Sequence, residues 1–220
     1  MITPFDREFK ATKRIKQGKK KLEVPFDELA QWISSTRMVN VLNVIYDRAN
    51  SMHNPRLQVI LEHKSELLRF QKGCLGNFIA KEQKSVAKKF IEIIDRDEVR
   101  GFDLDGLFVV FSAFAPIARE DADQQVSDRE IKELKLKIGN PDLWEISRCF
   151  GRVTFFYYTD DQVKLYEQQG MKELYAQRYF ELLKPHDEFG YLSLDSYQLF
   201  FDSKENFDKN YEGSWFYYYR

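Results

Sequence analysis

The chain has 220 residues, 43% of them hydrophobic, and its 34 Lys and Arg against 35 Asp and Glu leave a formal net charge of −1. This is globular composition, outside the weakly hydrophobic and highly charged regime of disordered chains, and it offers no global field to hold a polyanion. Aromatics reach 15%, with 19 Phe and 12 Tyr, and they gather in short runs that place much of the core in sheets.

Residues 1–24 are polar and basic and read as an N-terminal arm. Pro25, Phe26, Leu29, Trp32 and Ile33 then mark a short amphipathic helix with an early proline. Val39 to Tyr46 and Arg56 to Glu62 are β-rich runs joined by a polar stretch containing Asn50, Ser51, Asn54 and Pro55, which predicts a hairpin with a long loop. Lys64 to Phe70 and Phe78 to Ile94 have helical character, with Gly73 and Gly76 between them. Val86, Phe90, Ile93 and Ile94 fall on one face of the second helix. Leu107 to Ala115 is a continuous apolar run that stops at Pro116, the pattern of a central strand. The acidic, amide-rich residues 118–127 then read as a linker between two halves, 25–117 and 128–220.

The second half echoes the first. Arg56 to Phe70 aligns without a gap on Arg152 to Tyr166, Lys89 to Ile94 on Arg178 to Leu183, and Leu104 to Ser112 on Leu194 to Asp202. Ser127 to Ile138 precedes the second hairpin, Leu143 to Tyr158, as the Phe26 helix precedes the first. The predicted fold class is therefore α+β, built from two similar α-β-β-α-α-β halves with helices covering the sheets, an arrangement that suggests internal duplication. The terminal run Trp215 to Arg220 reads as an aromatic strand closing a sheet edge.

Cys74 and Cys149 lack CxxC spacing and are too few for a secreted scaffold, which points to two reduced thiols. No stretch approaches the roughly 18 apolar residues of a spanning helix. The N-terminus has no signal-peptide core, so the expectation is a cytoplasmic protein without membrane contact. His53, His63 and His186 are scattered away from ligand spacing, and no metal site or cofactor is expected. His186 falls in a loop after Pro185 among carboxylates, and Cys149 at the turn between two strands lacks a neighbouring base.

Phe102-Asp103-Leu104-Asp105-Gly106 resembles the DxDG loop of haloacid-dehalogenase-type phosphohydrolases, but in that family a strand precedes the aspartates and a Thr follows the Gly. Here Leu107 follows and the strand comes afterwards, so a strand-opening turn is the better reading. Asp160 and Asp161 resemble the acidic pair of the same family and are better placed as caps of the helix that follows. There is no phosphate-cradling glycine loop and no nucleophile elbow.

The one dense charge cluster is Lys13, Arg14, Lys16, Lys19, Lys20 and Lys21, a candidate polyanion-binding segment. Three functions follow in order of preference. The first is a non-catalytic protein-binding module, by analogy with adaptors and small bacterial immunity proteins, because the sheets are rich in Tyr and Phe and no catalytic constellation is visible. The second is a nucleic-acid-associated protein anchored by the basic segment. The third is a hydrolase using Asp103, Asp105, Asp160 and Asp161 from a groove between the halves.

Overall fold

Phe26, Leu29, Ala30 and Ile33 share one side of a helix, and Asp27 and Glu28 sit in its first turn where the helix dipole favours anions, so α2 runs Phe26–Arg37. In a computed structural model, which describes residues 2–48, 54–73, 77–149, 151–194 and 198–220, this helix precedes the first of two three-stranded sheets. The chain divides into two compact units, Met1–Ile117 and Ala118–Arg220. The hairpin loop with His53, and likewise Cys74, lie outside the described residues.

In unit 1, β1 (Val41–Arg48) pairs antiparallel with β2 (Pro55–Leu61), and β2 pairs parallel with β5 (Phe108–Ala113), giving the order β1-β2-β5. Between β2 and β5 come α3 (Lys64–Leu67), a 3-10 turn, the short pair β3 (Gln71–Lys72) and β4 (Asn77–Phe78), and α4 (Ala80–Arg96). A parallel return needs such a crossover. Side chains alternate across the sheet: Val44, Leu57, Val59, Leu61, Val109 and Phe111 point into a core closed by Leu29 and Ile33 of α2 and by Val86, Phe90 and Ile93 of α4.

In unit 2, α6 (Asp128–Ile138) precedes β6 (Leu143–Cys149) and β7 (Arg152–Tyr157), which pair antiparallel. Helices α7 (Asp160–Gln168) and α8 (Met171–Leu183) then lead to β8 (Gln198–Ser203), parallel to β7. Phe155, Tyr157 and Leu199 meet Tyr175, Tyr179 and Leu183 of α8 in the core. The sheet order and pairing senses match those of unit 1, and each first strand carries a register shift after its first residue, Val41/Asn43 in one and Leu143/Glu145 in the other. Arg56 pairs with Phe108 as Arg152 pairs with Gln198.

Several sequence expectations require correction. The supposed arm contains the helix α1 (Arg7–Lys16), docked by Phe9 and Thr12, both buried. Phe9 stacks on Phe114 with centroids 5.1 Å apart, and Asn43 of β1 donates to the Thr12 hydroxyl at 2.9 Å. Lysine-rich sequence concealed one apolar and one small polar side chain, three residues apart on one helical face. The supposed acidic linker is largely α5 (Phe114–Gln125): Pro116 falls in the first helical turn, where its missing N–H costs nothing. Strand β5 is an edge and not the centre; its continuous apolar run reflects helices packed over that edge, with Gln83 of α4 donating to the Val109 carbonyl at 2.5 Å.

The terminal aromatic run is likewise a helix. After α9 (Lys204–Tyr211), α10 (Trp215–Tyr218) places Trp215 and Tyr218 on one side against Phe207 and Phe156, so packing overrides the strand preference of aromatic residues. The same outer face of each sheet, opposite its main core, is thus covered by a terminal helix: α1 in unit 1 and α10 in unit 2.

Candidate functional site

Two residues after the end of α1, the chain doubles back because Gly18 is left-handed at φ +71. The Gly18 N–H donates to the Ile15 carbonyl and the Lys19 N–H to the Arg14 carbonyl, both at 2.9 Å, which is a Schellman closure of the helix. This reversal carries Lys20 and Lys21 alongside β1. Leu22, packed on the core of unit 1, and buried Pro25 then fix the path into α2.

The result is a cleft of about 330 Å³ between α1, residues 20–26 and β1. Arg7, Lys20 and Lys21 line it against Glu8 and Glu23, with Phe26, Ile15 and Tyr46 supplying apolar surface. Asn43, Val44, Ile45 and Tyr46 form its β-strand wall. Because neighbouring side chains of a strand point to opposite faces, a cleft touching all of these positions lies along the strand's rim. Strand β1 is the edge of its sheet, and its Val44 to Tyr46 backbone makes no hydrogen bond beyond β2 among the described residues. Arg7, Lys20 and Lys21 form no ion pair among the described residues.

The basic cluster read from sequence is therefore divided. Lys20 and Lys21 reach the cleft and Lys19 is exposed at the turn, whereas Lys16 turns inward to pair with buried Glu62 at 2.5 Å. Arg14 is exposed and Lys13 half-buried on α1. Arg7, which precedes the charge run, joins the cleft because helical periodicity returns it to the face of Ala11 and Ile15. That four-residue spacing is the signal in the sequence, and the surrounding lysines mask it.

Comparison of the chain with protein-family models, curated proteins and solved structures returns no match.

The carboxylates that suggested hydrolysis are committed locally. Asp103 bonds Arg48 at 3.2 Å and accepts from the Asp105 N–H, forming the turn before β5. Asp160 accepts from the buried Ser203 hydroxyl, and Asp161 pairs with Lys164 at 3.0 Å. The cap of α7 is Thr159, whose hydroxyl accepts from the Gln162 N–H, so the two aspartates sit one and two residues inside the helix. Among the described residues, no three His, Cys, Asp or Glu side chains converge as metal ligands.

His186 contacts Glu130 at 2.9 Å beside a groove between α6 and α8. The Ser127 N–H, then its hydroxyl, then His186 hold the Glu130 carboxyl down at about 2. Cys149 ends β6, and burial pushes its thiol up, away from the reactive thiolate. No helix is long and apolar enough to cross a membrane among the described residues.

Proposed function

We propose that this chain is a protein-binding module that takes an extended acidic segment as an added strand along β1. One observation carries the reading: the unpartnered rim of β1 forms a wall of the cleft that also gathers Arg7, Lys20 and Lys21. Strand addition draws affinity from main-chain hydrogen bonds and selectivity from the side chains on either hand. The three cations favour carboxylates on the incoming strand, and Phe26 and Tyr46 provide an apolar floor for alternate residues. The similar architecture of the two units supports descent from one duplicated element, with the lysine turn after α1 as a feature of the first.

A second reading uses the same cations on a phosphate backbone. Glu8 and Glu23 within the cleft, and the diversion of Lys16 to Glu62, weigh against it. The two are separated by fluorescence anisotropy with a short labelled peptide of alternating Val and Glu and with a single-stranded oligonucleotide, coupled to hydrogen exchange. Strand addition predicts peptide binding weakened about tenfold or more by Lys20→Glu/Lys21→Glu, with new amide protection across Asn43 to Tyr46. Oligonucleotide binding with a steep salt dependence and no protection of β1 supports the phosphate reading; no binding of either probe leaves the cleft without the role assigned to it.

A further inference from the structure

On the outer face of the unit 2 sheet, the hydroxyl of buried Tyr218 from α10 sits between two charged side chains. It donates to Asp202 of β8 at 2.5 Å and accepts from Arg152 of β7 at 3.2 Å, while the Arg152 guanidinium lies 4.3 Å from the centroid of Phe200. The pairing registers give each of these positions a counterpart in unit 1. Arg152 corresponds to Arg56, Thr154 to Gln58, Phe200 to Val110 and Asp202 to Ser112.

At that place unit 1 has no tyrosine. It has instead a cavity of about 450 Å³ lined by Asp6, Glu8, Arg56, Gln58, Val110 and Ser112 among others. Helix α1 covers this sheet face over β1, leaving β2 and β5 open to the cavity. The Ser112 hydroxyl is shielded from solvent and makes no hydrogen bond among the described residues. A buried hydroxyl without a partner forfeits its hydration with nothing in return, so the position is completed by a group that bonds it. Arg56 is already oriented: its Nε and Nη2 donate to Asp47 at 2.8 and 2.7 Å, and Gln58 donates to the same carboxylate at 2.5 Å. That arrangement leaves Nη1 of Arg56 as a donor.

We infer that the Arg56–Gln58–Ser112 cavity is a binding site for a phenol, the side-chain chemistry of tyrosine, seated as Tyr218 is seated in unit 2. The ring lies over Val110, and the phenolic oxygen reaches the Ser112 hydroxyl and the guanidinium of Arg56. Glu8, at the rim, accepts the hydrogen bond of the phenolic hydroxyl, the role Asp202 has toward Tyr218 in the other unit. This inference concerns the outer face over β2 and β5, whereas the cleft lies along the rim of β1; Glu8 borders both, and the inference stands without the strand-addition reading.

The test is a titration of the full-length ¹⁵N-labelled protein with p-cresol, toluene and benzylamine, followed by amide chemical shifts. The expected result is saturable movement of the Gln58, Val110 and Ser112 amides by p-cresol, with at least about fivefold tighter binding than toluene. Val110→Trp fills the cavity and abolishes the response. Ser112→Asp, which copies the residue of unit 2, strengthens it. Equal response to toluene reduces the site to an apolar hole and overturns the inference. So does preference for benzylamine, which assigns the cavity to cations through Asp6 and Glu8, and so does the lack of saturable shifts at those three amides. The comparison of ligands on the wild-type chain decides the matter even if neither variant folds.

Discussion

Replacing Phe9 by Ala tests whether α1 belongs to the folded unit. The Phe9 side chain is 2% exposed and stacks on Phe114, itself fully buried. Truncating a buried Phe costs roughly 3–5 kcal/mol. Because α1 is a single helix with solvent on its far side, the site can partly close, which places the expected loss at the lower end, about 3 kcal/mol. With a urea m-value of about 1.5 kcal/mol/M, the midpoint for unit 1 falls by about 2 M. Phe5, 71% exposed and only four residues earlier, is the internal control, and Phe5→Ala should change stability by less than about 0.5 kcal/mol. Urea unfolding read by hydrogen exchange in α1 and β1 peptides isolates unit 1 from unit 2. A loss below about 1 kcal/mol for Phe9→Ala, or one equal to that of Phe5→Ala, would refute the docked helix and return the segment to a solvated arm.

Glu130 makes stability depend on acid. Its folded value of about 2 lies below the ordinary 4.5, so the unfolded chain binds the proton first. The contribution is complete above about 4.5 and is lost as pH falls toward 2; Glu130→Gln should therefore flatten the melting temperature profile in that window, whereas parallel profiles would exclude the linkage. Gly18→Ala places a Cβ that meets nothing within 4 Å, so its cost is that of the left-handed backbone alone. A loss of about 1 kcal/mol is expected in urea unfolding, with Gly18→Asn less harmful.

The strands and main-core helices were readable because their periodicity is uninterrupted. Arg56 to Phe70 aligned on Arg152 to Tyr166 in the register that the two hairpins adopt, and Ser127 to Ile138 stood before the second hairpin where α6 lies. What escaped were the terminal helices. In α1, anchoring depends on Phe9 and Thr12 amid lysines, and in α10 the residues Trp215-Phe216-Tyr217-Tyr218 have strand propensity that only their packing on Phe156 and Phe207 reverses. Both helices cover the outer sheet faces, so the cleft and the cavity beside α1 were unreadable for the same reason. Neither site is a motif: Arg7 with Lys20, and Arg56 with Ser112, become neighbours only through the helix reversal and the parallel β2–β5 ladder.

That ladder also sets the order in which the polypeptide can mature. During synthesis the β1–β2 hairpin emerges first, yet the second edge of β2 stays unpaired until α3, α4 and finally Phe108 to Ala113 have left the ribosome. Throughout that interval Leu57, Val59 and Leu61 flank an open row of backbone donors and acceptors, the surface on which nascent chains pair with one another. A fragment ending before Phe108 lacks the partner strand of β2 and is expected to associate through that edge rather than behave as a smaller version of unit 1.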